Sequence, residues 1–186
     1  MTDFQRKDPF FSLCGLNCGL CTMKLGGHCP GCGQGNKPCK IARCGMEHEV
    51  AHCFECPDYP CAAYEHADDY DSFITHRNQK ADLQKAREIG IEAYASEQME
   101  KVELLETLLS GYNSGREKTL FTLAVNLLSI EDIKKTIEEG SRLPDGLSLK
   151  EKAAFASVRL REIAKENGVE LKLRRKPRQE TSGCRI

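Results

Sequence analysis

Cysteine is the residue type in this chain whose number and spacing could do chemistry. Eleven cysteines occur in 186 residues, and ten of them lie between residues 14 and 61. The ten stand at Cys14, Cys18, Cys21, Cys29, Cys32, Cys39, Cys44, Cys53, Cys56 and Cys61. Three pairs have the Cys-x2-Cys spacing, which places both sulfurs on one side of a tight turn, within reach of one tetrahedral ion. The pattern predicts that all ten thiolates bind metal.

The segment that carries these cysteines contains few large apolar side chains. Between residues 14 and 61 there are nine: Leu16, Leu20, Met23, Leu25, Ile41, Met46, Val50, Phe54 and Tyr59. Burial of so few cannot offset the conformational entropy of 48 residues. A structural zinc site contributes about 10–16 kcal/mol of apparent binding free energy at neutral pH. Metal binding is therefore expected to fold this segment.

Disulfides and iron–sulfur clusters are the alternatives to zinc. Residues 1–16 lack the long apolar stretch of a secretory signal, so we expect a cytoplasmic location, where thiols stay reduced. Cys14-x3-Cys18-x2-Cys21 has the spacing of radical S-adenosylmethionine enzymes, but the chain after residue 62 lacks their series of strand–helix units. Zinc is favoured, and an iron–sulfur redox protein is the alternative.

The ligands suffice for two or three ions, and their pairing is left open. Ten thiolates supply two four-sulfur sites with two sulfurs over, and two of His28, His48 and His52 would permit a third. Each four-thiolate zinc site carries a formal charge of about −2. Four nearby cations could offset it: Lys24, Lys37, Lys40 and Arg43.

No motif of a zinc enzyme is present. A catalytic zinc needs an open coordination position and a nearby general base, and neither the H-E-x-x-H motif nor the zinc deaminase pair of motifs occurs. The nearest acid–base cluster, Glu47-His48-Glu49, is more simply explained as charge on a turn. We therefore predict closed, structural sites and no catalytic residue, and an enzyme is the less favoured interpretation.

The elements that must position the cysteines are predicted to be helical. The sequence predicts a mainly α protein, with an irregular zinc-stabilised module at residues 1–66, an α-helical bundle at 67–173 and a basic, flexible tail at 174–186. The run LFTLAVNLL at residues 120–128 predicts a helix buried in the bundle, with a strand as the alternative.

Periodicity and capping signals mark the other helices. Residues 68–89 are amphipathic and end at Gly90, and Ser129 with Asp132 and Ser148 with Glu151 resemble capping boxes. Two apolar stripes are predicted to be buried: Ile91, Ala95, Met99, Val102, Leu105 and Leu109 in one helix, and Leu149, Ala153, Ala156, Leu160 and Ile163 in another. Alternating Val169, Leu171 and Leu173 suggest a short strand.

Charge and hydropathy limit the class of partner. With 27 Lys and Arg against 28 Asp and Glu and no apolar run of about 18 residues, neither a nucleic acid nor a membrane is favoured. The basic stretch at 172–178 could add weak RNA affinity. We expect a protein partner, to which the metal-held loops would present Phe54 and Tyr59, although such aromatic residues more often pack locally.

One loop outside the cysteine region is a candidate anion site. Arg116 and Lys118 follow a glycine-flanked turn near a predicted helix start, where backbone N–H groups could join them in binding a phosphate or carboxylate. A plain helix–helix connection that uses the backbone freedom of Gly115 explains the same residues.

Four cysteine motifs in this order resemble those of a known family. CGLNCGLC, CPGC, CKIARC and CFECPDYPC, between residues 14 and 61, are similar to the CGLxCxxC, CxGC, CxIRxC and CxECxxFPC motifs of a prokaryotic cysteine-rich family of unknown function, presumed to bind zinc. The chain differs at Tyr59, where the family often has Phe, and at Ala42-Arg43, where the Arg is displaced by one place. Residues 111–128 also resemble a downstream stretch of longer members. The resemblance implies metal binding and no particular substrate, reaction or partner.

Overall fold

Helices carry the chain in the computed structural model, which describes residues 10–32, 34 and 39–177. The α-helices of this part are α1 (Thr22–Leu25), α2 (Lys40–Glu47), α3 (Gln79–Ile89), α4 (Ile91–Gly111), α5 (Lys118–Leu127), α6 (Ile130–Ser141) and α7 (Leu149–Glu166). Single 3-10 turns lie at Cys18–Leu20, Cys53–Glu55 and Ala62–Tyr64. The described residues form no β-strand, and the mainly α prediction is confirmed.

The main hydrophobic core lies between α4, α5, α6 and α7. Helix α5 is buried on nearly every side, as its apolar run predicts, so the strand alternative for that run is wrong. Helix α7 contributes Ala156, Leu160 and Ile163 to the same core. Leu149, which the predicted stripe includes, is 46% exposed because it stands in the first turn of α7, at the end of the helix.

The buried face of α4 is rotated relative to the predicted stripe. Tyr94 and Gln98 are buried, whereas Met99 is 49% exposed. One hydrogen bond and one aromatic contact explain the difference, because the Asn17 side chain donates to Gln98 Oε1 at 3.0 Å and Tyr94 packs edge-on against Phe11. The N-terminal segment thus selects which face of α4 is covered.

Capping residues end and start the helices where the sequence predicts. Ser148 and Glu151 form a reciprocal capping box, and Ser129 Oγ accepts from the backbone N–H of Asp132. Gly90 separates α3 from α4 with a φ of 89°, which glycine adopts readily.

In the described residues one predicted helix is shorter than expected and one predicted strand is absent. Residues 68–78 form turns rather than the first half of a helix, and α3 begins at Gln79. Asp71 accepts hydrogen bonds there from the hydroxyl of Thr75 and the amide of His76, and such side-chain acceptance competes with helical pairing. Residues 169–173 form no strand, and Val169 and Leu171 instead pack against the bundle.

The cysteine-bearing segment packs directly against the helices. Leu20 belongs to the main core, and Phe11 joins a second core with Tyr64, Leu83 and Tyr94. Gly19 allows a close approach to α4, because a Cβ atom there would lie 2.5 Å from Val102. Apolar packing therefore crosses the sequence position of the predicted boundary between residues 66 and 67.

Residues beyond α7 turn back onto the loop before α3. The Arg174 backbone exchanges hydrogen bonds with Asp71, and the Arg174 guanidinium bonds the carbonyl of Asp68. The start of the predicted tail is thus bound to the bundle, while residues 178–186, with Cys184, lie outside the described part. A search of the described helices finds none with the length and apolar character to cross a membrane.

Candidate metal centre

Four cysteines from separate turns surround one small cavity. Cys44, Cys53, Cys56 and Cys61 line a space of about 30 Å³, and we call these four residues the second cysteine cluster. Cys44 lies on α2, and the other three lie at the ends of the 3-10 turns at Cys53–Glu55 and Ala62–Tyr64. Residues distant by up to 17 positions in sequence thus meet at one point.

Local hydrogen bonds hold the turn that carries Cys53 and Cys56. The Glu55 carboxylate folds back to accept from the backbone N–H groups of Ala51 at 2.8 Å and His52 at 3.2 Å. The Cys53 amide donates to the carbonyl of Leu13 at 3.0 Å. The turn is therefore fixed both to itself and to the segment that carries the first cysteines.

Burial and crowding oppose thiolate formation in this cluster. The pKa of Cys53 is raised to about 11, chiefly by burial and also by the thiols of Cys61, Cys44 and Cys56, which together outweigh the lowering effect of a hydrogen bond with Tyr64. Burial, followed by Cys61 and Cys56, also raises the pKa of Cys44. Several thiolates can share this space only if a cation balances their charge.

The earlier cysteines form a separate group, which we call the first cysteine cluster. The pKa of Cys14 is raised to about 12, chiefly by burial and also by Cys32 and Cys39. A hydrogen bond with Ser12 Oγ at 3.2 Å lowers the pKa but does not offset these effects. The pKa of Cys18 is raised first by burial and then by Cys32 and Cys21, against a hydrogen bond from the Cys32 amide and the charge of Lys24. Cys32 thus acts electrostatically on both Cys14 and Cys18, Cys39 acts on Cys14 and Cys21 on Cys18, and Cys29 lies half-buried in the same segment.

Helix α2 connects the two clusters. Cys39 is its N-cap, and the sulfur accepts from the Ala42 amide at 3.5 Å, a position where the helix dipole favours a thiolate. Cys44 lies on the same helix and faces the second cluster. One helix of eight residues therefore spaces the two groups of sulfurs.

The three histidines considered as ligands have different surroundings. His48 lines the cavity of the second cluster, with Nδ1 3.7 Å from Cys44 Sγ. His52 is buried, stacked between the rings of Phe11 and Phe54, and its Nδ1 lies 3.3 Å from Glu55. His28 is exposed.

A carboxylate that sequence reasoning did not include joins His48. One ligand atom each from His48, Cys56 and Asp58 lie within 4.8 Å of one another, close enough to share a metal ion. Asp58 lies two residues after Cys56 in a turn, and only folding brings it near a helix-borne histidine. A Cys-x-Asp spacing is too common in sequences to mark such a site.

The donors present suit a metal ion of the zinc class. Thiolate and imidazole ligands select borderline and soft metals, and none of the ten cysteines forms a disulfide. The ten cysteines and the His48 group could therefore hold metal. The aromatic residues Phe54 and Tyr59 pack locally, Phe54 against His52 and Tyr59 edge-on against Tyr64.

In the candidate anion loop at residues 113–117, side chains of the loop itself already accept hydrogen bonds from the backbone N–H groups. The amides of Ser114 and Arg116 donate to the Glu117 carboxylate at 2.7 and 3.3 Å. The amides of Gly115 and Glu117 donate to Asn113 Oδ1. Anion binding by Arg116 and Lys118 stays a prediction, and an external anion would have to compete with these contacts.

Comparison of the chain with protein-family models, curated proteins and solved structures finds no match in any of the three.

Proposed function

We propose that this protein is a zinc-binding protein in which zinc is structural and the metal-held segment serves as an interaction module. The observation that carries the proposal is the convergence of Cys44, Cys53, Cys56 and Cys61 on one small cavity. Four cysteine thiolates are the donor set of a closed, tetrahedral zinc site. The first cysteine cluster supplies the ligands of a second ion.

The energetics of the thiols support resident metal. The pKa of Cys14 is raised to about 12, so at neutral pH this sulfur binds a cation as a thiolate only by releasing its proton to solvent. Metal binding then adds to the folding free energy of a segment that otherwise contributes few apolar side chains. The resemblance of the four cysteine motifs to a presumed zinc-binding prokaryotic family supports the same interpretation.

The partner we propose is another protein. The chain is nearly neutral, and two aromatic residues of the loop before α3 are exposed to solvent, Tyr70 by 43% and Phe73 by 54%. The Phe73 carbonyl accepts from the Thr22 hydroxyl at 2.9 Å, so the metal-held segment positions this loop. Metal would in this way act on the surface that a partner meets, without taking part in a reaction.

An iron–sulfur redox protein is the second candidate. The first cluster favours it in one respect, because Cys14, Cys18 and Cys21 have the sequence spacing of ligands of an iron–sulfur cluster and Cys21 acts electrostatically on Cys18. The burial of these cysteines would influence the reduction potential of such a cluster.

Anaerobic purification followed by elemental analysis distinguishes the two. We expect about two zinc ions per chain, no acid-labile sulfide and no visible absorbance. Iron with acid-labile sulfide and a brown, bleachable chromophore would establish the second candidate instead. A chain that retains no metal under these conditions would refute both.

A further inference from the structure

We propose that His48, Cys56 and Asp58 form an outer, exchangeable site for one additional divalent ion of the zinc class, joined to the second cysteine cluster through the sulfur of Cys56. The inference rests on the proposed function, because it takes Cys56 to be a thiolate already bound to an inner ion. A thiolate has lone pairs enough to bridge two metal ions. The outer ion would bind to the face of Cys56 that is turned away from the inner one.

The three side chains have the geometry of a site at the protein surface. Their ligand atoms lie within 4.8 Å of one another, and His48 and Asp58 are exposed while Cys56 is half-buried. Cys56 lines the cavity with Cys44, Cys53 and Cys61, and His48 lines it too, so the two groups adjoin through both residues. Because His48 and Asp58 are exposed, the outer group lies on the solvent side of the inner cluster.

The imidazole of His48 is held as a metal-binding histidine is. His48 caps the C-terminal end of α2, and its Nδ1 lies 2.9 Å from the carbonyl oxygen of Cys44. That contact requires the proton on Nδ1, which leaves the lone pair on Nε2. Histidine ligands commonly donate their second ring N–H to a backbone carbonyl, which fixes tautomer and ring direction.

Asp58 has no competing partner in the described part of the chain. No hydrogen bond or ion pair engages its carboxylate there, in contrast to Asp68 and Asp71, which are bound to Lys80 and Arg174. An ion would therefore take up a charge that the fold leaves unbalanced.

The charge distribution along the chain favours an extra cation at the second cluster and disfavours one at the first. Residues 44–76 contain no Lys or Arg and eight acidic residues, namely Glu47, Glu49, Glu55, Asp58, Glu65, Asp68, Asp69 and Asp71. Residues 10–46 contain no acidic residue, and their basic residues are Lys24, Lys37, Lys40 and Arg43. A four-thiolate zinc site adds a charge of about −2 to the acidic surroundings. The nearest lysine in the adjoining groove, Lys80, is paired with Asp68 at 2.7 Å.

Three protein donors leave at least one coordination position for water. Such an open set binds more weakly and exchanges faster than a closed four-thiolate set. The outer site would therefore serve as the place where zinc enters or leaves the second cluster, with Cys56 as the shared ligand.

The test uses the full chain with its tightly bound zinc retained. Zinc is titrated against a competing chromophoric chelator, and in a parallel sample Co²⁺ is added to the zinc-loaded protein to report thiolate ligation by its charge-transfer absorbance. We expect one ion per chain beyond those found by elemental analysis of the purified protein. In His48→Ala and Asp58→Asn the affinity for this ion should fall by more than about tenfold, the least that loss of even a supporting residue costs a metal site.

The matched control is a second histidine–aspartate pair at the surface. His66 and Asp69 are exposed and lie 3.0 Å apart, away from any cysteine that lines the cavity. His66→Ala and Asp69→Asn should leave the extra ion in place. The inner zinc content should be unchanged in all four variants.

Three results would overturn the inference. They are the absence of an additional ion in the wild-type protein, its undiminished binding in both site variants, and loss of a tightly bound zinc from those variants, which would make His48 or Asp58 an inner ligand. Elemental analysis of the purified wild type tests the proposed function separately, since it reports the inner ions alone.

Discussion

The hydroxyl of Tyr64 lies 3.3 Å from the carbonyl oxygen of Cys14, so a residue at the end of the second cysteine cluster donates to the backbone of the first. The same hydroxyl hydrogen-bonds with Cys53, whose pKa it lowers. Tyr64 is 1% exposed. The Cys14 carbonyl has a second donor in the Gln79 side-chain amide, at 2.8 Å. Two side chains from different parts of the chain thus satisfy one carbonyl between the clusters.

We expect Tyr64→Phe and Gln79→Leu to be non-additive. Each single change leaves the Cys14 carbonyl with one donor and should lower the free energy of unfolding by about 0.5–1.5 kcal/mol. The double change leaves a buried carbonyl unpaired, and its cost should exceed the sum of the two by about 1–3 kcal/mol. Urea unfolding of the four proteins measures this. Tyr70→Phe, at an exposed tyrosine, should shift stability by less than about 0.5 kcal/mol. Additive single effects would show that the two donors do not share the carbonyl.

Helix α2 packs closely against Leu13 because residue 45 of the helix is a glycine and has no side chain. A Cβ atom at Gly45 would lie 2.2 Å from Leu13 Cδ1 and 3.1 Å from Cδ2. Leu13 is fully buried, and its carbonyl accepts from the Cys53 amide. Leu13 therefore cannot move aside without disturbing the turn that carries Cys53.

Gly45→Ala should consequently destabilise the protein and weaken the second metal site. Overpacking of this kind costs about 1–3 kcal/mol, and we expect a lower melting temperature together with faster zinc loss to a chelator. Gly111→Ala is the control, because Gly111 also lies in a helix but has open space around it. There alanine should be neutral or stabilising, by up to about 1 kcal/mol. Equal behaviour of the two variants would mean that Leu13 relaxes freely.

Most helices of this fold can be predicted from the sequence because the residues that define them act locally. Caps such as Ser148 with Glu151 and the apolar run of α5 act within a few residues of themselves. The rotation of α4 is not readable, since it depends on Asn17, which lies 81 positions from Gln98. Local pattern favours Met99 for the core, and a tertiary hydrogen bond selects Gln98.

Some features of the candidate site can likewise be predicted from the sequence, and others depend on the fold. Spacing predicts that the cysteines are ligands, but their grouping depends on where α2 places Cys39 and Cys44, which are five positions apart and belong to different clusters. Asp58 could not be recognised beforehand, because its neighbour His48 comes from another element. Non-local contacts decide these points, and a single sequence carries no trace of them.

Removal of metal should act first on the cysteine-bearing segment. Between residues 14 and 61 the proposed metal ions would compensate for the small number of apolar side chains, whereas α4 to α7 contribute most of the main core. A strong chelator should therefore expose residues 14–61 to limited proteolysis while most helical circular dichroism persists. Re-addition of zinc should restore resistance. Because Leu20 and Phe11 belong to the cores, a fall in melting temperature should accompany chelation. Unchanged proteolysis after complete metal removal would contradict a structural role for zinc.

The Asp71 carboxylate, fully buried, anchors the segment after α7. Burial alone would raise its pKa, but the amides of His76 and Arg174 and the guanidinium groups of Arg174 and Arg77 outweigh burial and lower the pKa below its usual value. The guanidinium nitrogens of Arg174 and Arg77 lie 3.6 and 3.9 Å from the carboxylate. Arg77 in turn donates to the carbonyls of Glu170 and Lys172. One carboxylate thus closes the C-terminal segment onto the loop before α3.

Asp71→Asn should lower the free energy of unfolding at pH 7 by about 3 kcal/mol, because it leaves two guanidinium groups beside an uncharged side chain. The folded pKa of Asp71 lies below the unfolded value of about 3.9. Its contribution is therefore complete above about pH 5 and is lost as pH falls through the folded pKa. The difference in unfolding free energy between wild type and Asp71→Asn should shrink below about pH 4, as measured by urea unfolding at several pH values.

The control is Asp69→Asn, at an exposed pair with His66, which should lower the free energy of unfolding by less than about 1 kcal/mol. Since metal loss at acid pH affects all three proteins alike, a difference that stays constant from pH 7 to pH 3 would show that Asp71 acts through shape rather than charge.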